Sequence, residues 1–274
     1  MKTKRIKFLA VAVILLIGIS FTSCLNSDNN TTSPIRGFVK VYNSYSTYFK
    51  DLTGAIYTPT TTSLATWETY GFKPESTNIA YIYGTYDTEQ YPNAVTDKNY
   101  PIDLSFAISL DHKVEIVDNS GASNDSINKA AIISLDASSQ YSNSAILKPW
   151  FFDEKTLMLP IQYYLSKDNH SFTLVYYPSE NQVANGTLKL HLRHNNQGDT
   201  STSSNSLNEY IKNSMYVYIY LCAYDLSDVL DLYGGNVSNI EIETKENPSS
   251  VALDDSQTTT NTYTVEHKVI DISE

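Results

Sequence analysis

Pro101-Ile-Asp-Leu-Ser-Phe-Ala-Ile-Ser-Leu110 places an apolar side chain at every second position. Ile102, Leu104, Phe106, Ile108 and Leu110 alternate with Asp103, Ser105, Ala107 and Ser109. Successive side chains of an extended chain point to opposite faces, so this pattern predicts a half-buried strand. The stretch before it repeats the signal. From Asn78 to Tyr86, Ile79, Tyr81 and Tyr83 share one face and Ala80 and Ile82 the other. Earlier runs carry Phe38, Val41 and Tyr42, then Leu52, Ala55 and Ile56, before a break at Thr58-Pro-Thr-Thr-Thr-Ser63. Val114 and Ile116 read as a continuation after a turn at Asp111-His112. Several short strands at this spacing predict a small barrel.

The second half carries longer strands. Thr156 to Leu165 is one, with Pro160 marking an edge or a bulge. Phe172, Leu174 and Tyr176 alternate in the next. Leu188, Leu190 and Leu192 face inward, and Lys189, His191 and Arg193 outward. Met215, Val217, Ile219, Leu221 and Ala223 occupy one face of a long strand. Tyr216, Tyr218, Tyr220, Cys222 and Tyr224 occupy the other. Val237 to Ile242 and Tyr263 to Ile270 add two more strands. Long strands with two distinct faces predict an antiparallel β-sandwich. The chain is thus expected to be all-β, in keeping with its 22 tyrosines. The polar run Asp118 to Asn128 places a domain boundary near residue 125, giving domains at 35–125 and 126–274.

The first residues carry an address. Lys2, Lys4, Arg5 and Lys7 precede an uncharged apolar run from Phe8 to Ile19, followed by Phe21-Thr22-Ser23-Cys24. This reads as a lipoprotein signal peptide over residues 1–23, too short to span a bilayer. Cys24 would take the diacylglycerol and become the new N-terminus. Two or three acyl chains, palmitate among them, give stable anchoring, since each buried CH₂ contributes about 0.8 kcal/mol. Residues 24–34 form a polar tether. The expected location is the outer membrane, in a leaflet the sequence does not specify.

The chain has 274 residues, 19 basic and 30 acidic. Without the four basic residues of the signal, the remainder carries a formal net charge of −15. A field of that sign disfavours nucleic acid as a partner. With Cys24 lipidated, Cys222 has no partner in the chain, so neither a disulfide framework nor a cysteine-rich zinc site is expected.

No nucleophile elbow, zincin motif or phosphate-binding glycine loop is present. His191 and His194 point to opposite faces at strand spacing and read as a solvated strand end. Asp225, Asp228 and Asp231 are spaced for one face of a short amphipathic helix, with apolar residues between them. No catalytic residue, metal site or cofactor is therefore expected. The Tyr216, Tyr218 and Tyr220 stripe is a binding surface if exposed, and core if a second sheet covers it. Asp125-Ser126-Ile127 matches a short bacterial O-glycosylation pattern, with Ser126 as acceptor.

Met158-Leu-Pro-Ile-Gln-Tyr-Tyr164, His170 to Tyr176, and Asn185-Gly-Thr-Leu-Lys-Leu-His-Leu-Arg-His-Asn-Asn-Gln-Gly-Asp199 resemble the NigD-like lipoproteins of Bacteroidetes. The resemblance spans roughly residues 36–230 and is strongest over 156–199. It implies an N-terminal OB-like barrel and a C-terminal sandwich, and carries over no catalytic residue. The expected function is non-enzymatic binding of an envelope protein or glycan. The alternative is a fimbrial subunit assembled by strand donation, with maturation cleavage at Arg36. A glycan-active enzyme stands behind both.

Overall fold

The computed structural model describes residues 31–117, 126–136, 148–164, 170–181, 186–198, 217–254 and 256–267. They form two compact units that divide between Asp111 and His112.

The first unit is a closed barrel of five strands: β1 (Thr32–Asn43), β2 (Thr47–Lys50), β3 (Ile56–Pro59), β4 (Ile79–Asp87) and β5 (Asn99–Ser109). Their order around the barrel is β1-β2-β3-β5-β4, returning to β1. The β3–β5 pair is parallel and the others antiparallel. This is the arrangement of an OB barrel. Val39, Val41, Phe49, Ala80, Ile82, Ile102 and Leu104 fill its interior from alternate positions. The turn between β2 and β3 is pinned by Asp51. Its Oδ1 accepts from the backbone of Thr53 and Ala55, and its Oδ2 from the Tyr57 hydroxyl at 2.7 Å. Leu52, expected in a strand, is exposed in this turn.

Between β3 and β4 lies helix α1 (Thr61–Thr69), where the sequence showed only a break. Thr60 caps it by accepting from the Ser63 amide, and Trp67 Nε1 donates to the Leu104 carbonyl. The alternation in β5 also breaks. Tyr83 pairs with Phe106 while Gly84 pairs with Leu104, so Ser105 is an extra residue in the strand. Ala107, not Phe106, therefore joins Ile102 and Leu104 in the core.

The second unit holds two sheets around one core. The four-stranded sheet runs β6 (Asp111–His112), β12 (Val217–Asp225), β9 (Thr156–Tyr164), β8 (Trp150–Phe151). The five-stranded sheet runs β14 (Thr259–Glu266), β13 (Asn239–Glu246), β11 (Thr187–Asn195), β10 (Ser171–Tyr176), β7 (Val114–Ile116). Leu157, Leu159 and Ile161 of one sheet share a core with Leu174, Leu188, Leu190, Ile240 and Ile242 of the other. The sandwich is not wholly antiparallel, because β7–β10 and β11–β13 run parallel. The chain leaves β11, passes through β12 and helix α2 (Ser227–Tyr233), and returns to β13 in the same direction.

The boundary near 125 is also corrected. Val114 and Ile116 extend no barrel strand; they pair with Leu174 and Tyr176. Residues 129–136 tie the two sheets together, with Ile132 bridged to Glu246 and Ser134 to Gln162.

Candidate ligand face of the barrel

Core packing of Val39, Val41, Phe49 and Tyr57 turns the intervening residues outward. Tyr42 and Tyr48 are cross-strand partners on that outer face. Their rings are 4.8 Å apart and 3° from parallel. The next outward row joins Lys40 to Lys50, Lys50 to Ile56, and Ile56 to Asn99 by strand register. Tyr45, at the tip of the β1–β2 turn, is fully exposed.

Asn99 opens onto a depression of about 290 Å³ in the β4–β5 connection, lined also by Gln90, Tyr91, Asn93, Asp97 and Pro101. The loop is braced from both ends. Asp87 accepts from the Glu89 and Gln90 amides, and Lys98 Nζ donates to the Thr53 carbonyl. Behind the face, Tyr57 stacks on Tyr100, and Tyr86 meets Tyr100 edge-on. Burial, reinforced by Asp51, pushes the Tyr57 hydroxyl well above its ordinary range and keeps it protonated. The result is a stiff, half-buried platform of aromatic rings, two ammonium groups and amide side chains. In OB barrels this face, between the β1–β2 and β4–β5 loops, is the one that takes oligomeric ligands. Sequence reading did not nominate it, although Tyr42 and Tyr48 flank a turn-forming Asn-Ser-Tyr-Ser segment.

The tyrosine stripe of β12 is placed differently. Tyr220 packs into the sandwich core against His112 and Phe172, and Tyr224 is fully buried, its hydroxyl donating to the Phe172 carbonyl. Burial raises the Tyr220 hydroxyl pKa, as expected for a core group. Tyr220 is thus partly buried, its ring packed on Phe172 of the facing sheet. Tyr216 and the Tyr218 side chain lie outside the described residues, as does Cys24. Ser126 is described and exposed.

His191 and His194 do point to opposite faces, but neither ends in solvent. His191 lies between Glu180 Oε2 at 2.8 Å and Glu243 Oε1 at 3.2 Å, and Lys189 reaches both carboxylates. His194 stacks on Phe172. Its Nδ1 lies 3.3 Å from the Ala131 carbonyl. Of the three aspartates expected on one helix face, Asp228 and Asp231 lie on a helix over Ser227–Tyr233, in which Val229 and Tyr233 are buried, whereas Asp225 ends β12 and accepts from the Ser227 amide. Arg36 sits inside β1 opposite Tyr83, not ahead of the first strand. Among the described residues, no group of three or more His, Cys, Asp or Glu converges on a metal position, and no helix is long and apolar enough to cross a membrane.

No protein-family model matches the sequence, and no curated protein matches it. Solved structures do. A putative lipoprotein from Bacteroides fragilis superimposes with a TM-score of 0.65 at 24% identity, covering 86% of this chain and 99% of the other. The two share one fold. A DUF1344 protein of unknown function from Bacteroides vulgatus follows, with a TM-score of 0.50 and 14% identity over 87% and 93% of the two chains. The similar structures also include a NigD-like immunity protein from Bacteroides caccae, at 13% identity and a TM-score of 0.45 over 86% and 94%.

Proposed function

We propose that this chain is a lipid-anchored protein of the outer membrane that binds an envelope or extracellular glycan through its barrel and catalyses no reaction. The observation that carries the reading is the OB strand order combined with the Tyr42–Tyr48 stack on its outer face. Flat aromatic faces beside polar side chains suit sugar rings, which present apolar C–H faces edged by hydroxyls. The Cys24 signal and the shared fold with a protein described as a putative lipoprotein support the anchor.

An extended peptide partner is less well served, because peptides commonly add to a free sheet edge and this barrel is closed. The test is an array of oligosaccharides and peptides probed with the full chain and with a Tyr42→Ala/Tyr48→Ala variant. Binding to sugars that the double variant loses is the expected result. Binding to none, or binding indifferent to both tyrosines, overturns the reading.

A further inference from the structure

We infer that the depression in the β4–β5 connection seats one ring of a neutral sugar chain, whose further rings reach the Tyr42–Tyr48 stack. This rests on the barrel being the glycan-binding unit. Backbone bonds shape the depression. Asp87 accepts from the Glu89 and Gln90 amides, the Tyr91 amide donates to the Asp87 carbonyl, and the Asp97 amide donates to the Asn93 carbonyl. Ala94 is buried in the lining, and Tyr91 packs against the barrel core. The side chains of Gln90, Asn93, Asp97 and Asn99 are exposed and have no hydrogen-bond partner among the described residues. Three carboxamides and one carboxylate thus line a hollow beside an aromatic ring.

That set suits an uncharged sugar ring. A carboxylate accepts from two neighbouring hydroxyls, and carboxamides both donate and accept. The Tyr91 ring covers sugar C–H groups. Asp97 is the one charged side chain lining the depression, and it repels a uronate or a sulfate. Lys98, next in sequence, is turned to the Thr53 carbonyl. At about 290 Å³ the hollow lies at the lower end of small-molecule sites, with room for one ring and not for a chain. Strand register joins it to the tyrosine platform. Asn99 pairs with Ile56, and Ile56 with Lys50, two residues from Tyr48. Two strand spacings of about 4.8 Å and a two-residue step of about 7 Å set Asn99 roughly 12 Å from Tyr48. A disaccharide does not bridge that separation, and a tetrasaccharide does.

The experiment is calorimetric titration of the full chain with disaccharides and tetrasaccharides of α-glucan, β-glucan, α-mannan and β-galactan, and with a hyaluronan tetrasaccharide. A neutral tetrasaccharide is expected to bind most tightly, with its disaccharide about tenfold weaker or more. Asn93→Ala and Asp97→Asn should each weaken that tetrasaccharide about tenfold. Asp97→Asn should also tighten the hyaluronan tetrasaccharide, because it removes the repulsion, and a mere loss of fold gives no such gain. Tyr48→Ala should weaken the neutral tetrasaccharide by about tenfold, near the upper end for one aromatic contact, and Tyr48→Phe should retain it. Full affinity in Asn93→Ala and Asp97→Asn, with Tyr48→Ala still harmful, overturns the depression as a sugar site and leaves the tyrosine platform as one. The hyaluronan tetrasaccharide binding as tightly as the best neutral one overturns the neutral assignment and leaves the barrel as a glycan binder. A disaccharide matching its tetrasaccharide overturns the bridging of the two places by one chain. No binding, or binding indifferent to Tyr48, Asn93 and Asp97, overturns this inference together with the reading beneath it.

Discussion

His170 Nδ1 stands 2.8 Å from Nε2 of His194 in the sandwich unit. His194 Nδ1–H donates to the Ala131 carbonyl, so its Nε2 accepts from His170. Burial, with a smaller contribution from His170, lowers the His194 pKa to about 3. An unfolded imidazole titrates near pH 6.5. Between those values the unfolded chain binds a proton that the folded chain refuses, so stability rises with pH and is lost as pH falls below about 6.5. From pH 7 to pH 5 this one residue should remove about 2 kcal/mol. Urea titrations at both values should show a smaller pH effect in His194→Gln than in the parent. An identical pH effect in the two would contradict the assignment.

Gly84 closes the barrel by the absence of a side chain. A Cβ at this position would lie 2.6 Å from the Asp103 carbonyl oxygen, across the bulge. Backbone cannot yield as a side-chain tip can, so Gly84→Ala should cost about 1–3 kcal/mol. Gly37→Ala meets nothing within 4 Å and serves as the control. Thermal unfolding should separate the two variants by several degrees.

Cys222 is fully buried, and burial holds its thiol pKa well above the ordinary range despite a hydrogen bond with Tyr224. In a Cys24→Ser chain it is the sole thiol. A disulfide exchange reagent should therefore label it only along the urea unfolding curve. Labelling at the rate of a free thiol in the folded protein would refute its burial.

Cys24→Ser should also move the chain from the membrane to the soluble fraction, because acyl chains are the proposed membrane attachment. Fractionation of cells expressing both forms measures this. Retention of the serine form in the membrane would remove the lipid from the account.

Glu243 offers a second pH probe. Burial raises its carboxyl pKa, but His191 and Lys189 outweigh that and hold it below the usual range. Its contribution to stability is present above the ordinary carboxylate pKa and lost as pH falls through the lowered one. In Glu243→Gln the stability loss below pH 4 should be smaller than in the parent, measured by urea midpoint.

Period-two alternation was enough to read the all-β class, the barrel and the sandwich, because one buried face imposes that pattern on each strand. It was insufficient where a second constraint entered. The extra residue at Ser105 reverses which side chains of β5 face inward, and no local signal marks it. Val114 and Ile116 look like any strand end, yet their partners lie some sixty residues away in β10. Helix α1 was hidden because Thr61 to Thr69 is polar and buries no residue fully. The β12 tyrosines drew attention as a stripe, but a facing sheet decides burial, and one strand cannot report on it. The Tyr42–Tyr48 pair was missed for the same reason, since it exists only once β1 and β2 are in register.

The most direct test is a residue-resolved NMR titration of the full chain with the oligosaccharide that binds best on the array. The account predicts shifts confined to Tyr42, Tyr48, Lys40, Lys50, Asn99 and the β4–β5 loop. Shifts centred on the sandwich strands, with the barrel face unmoved, would contradict it.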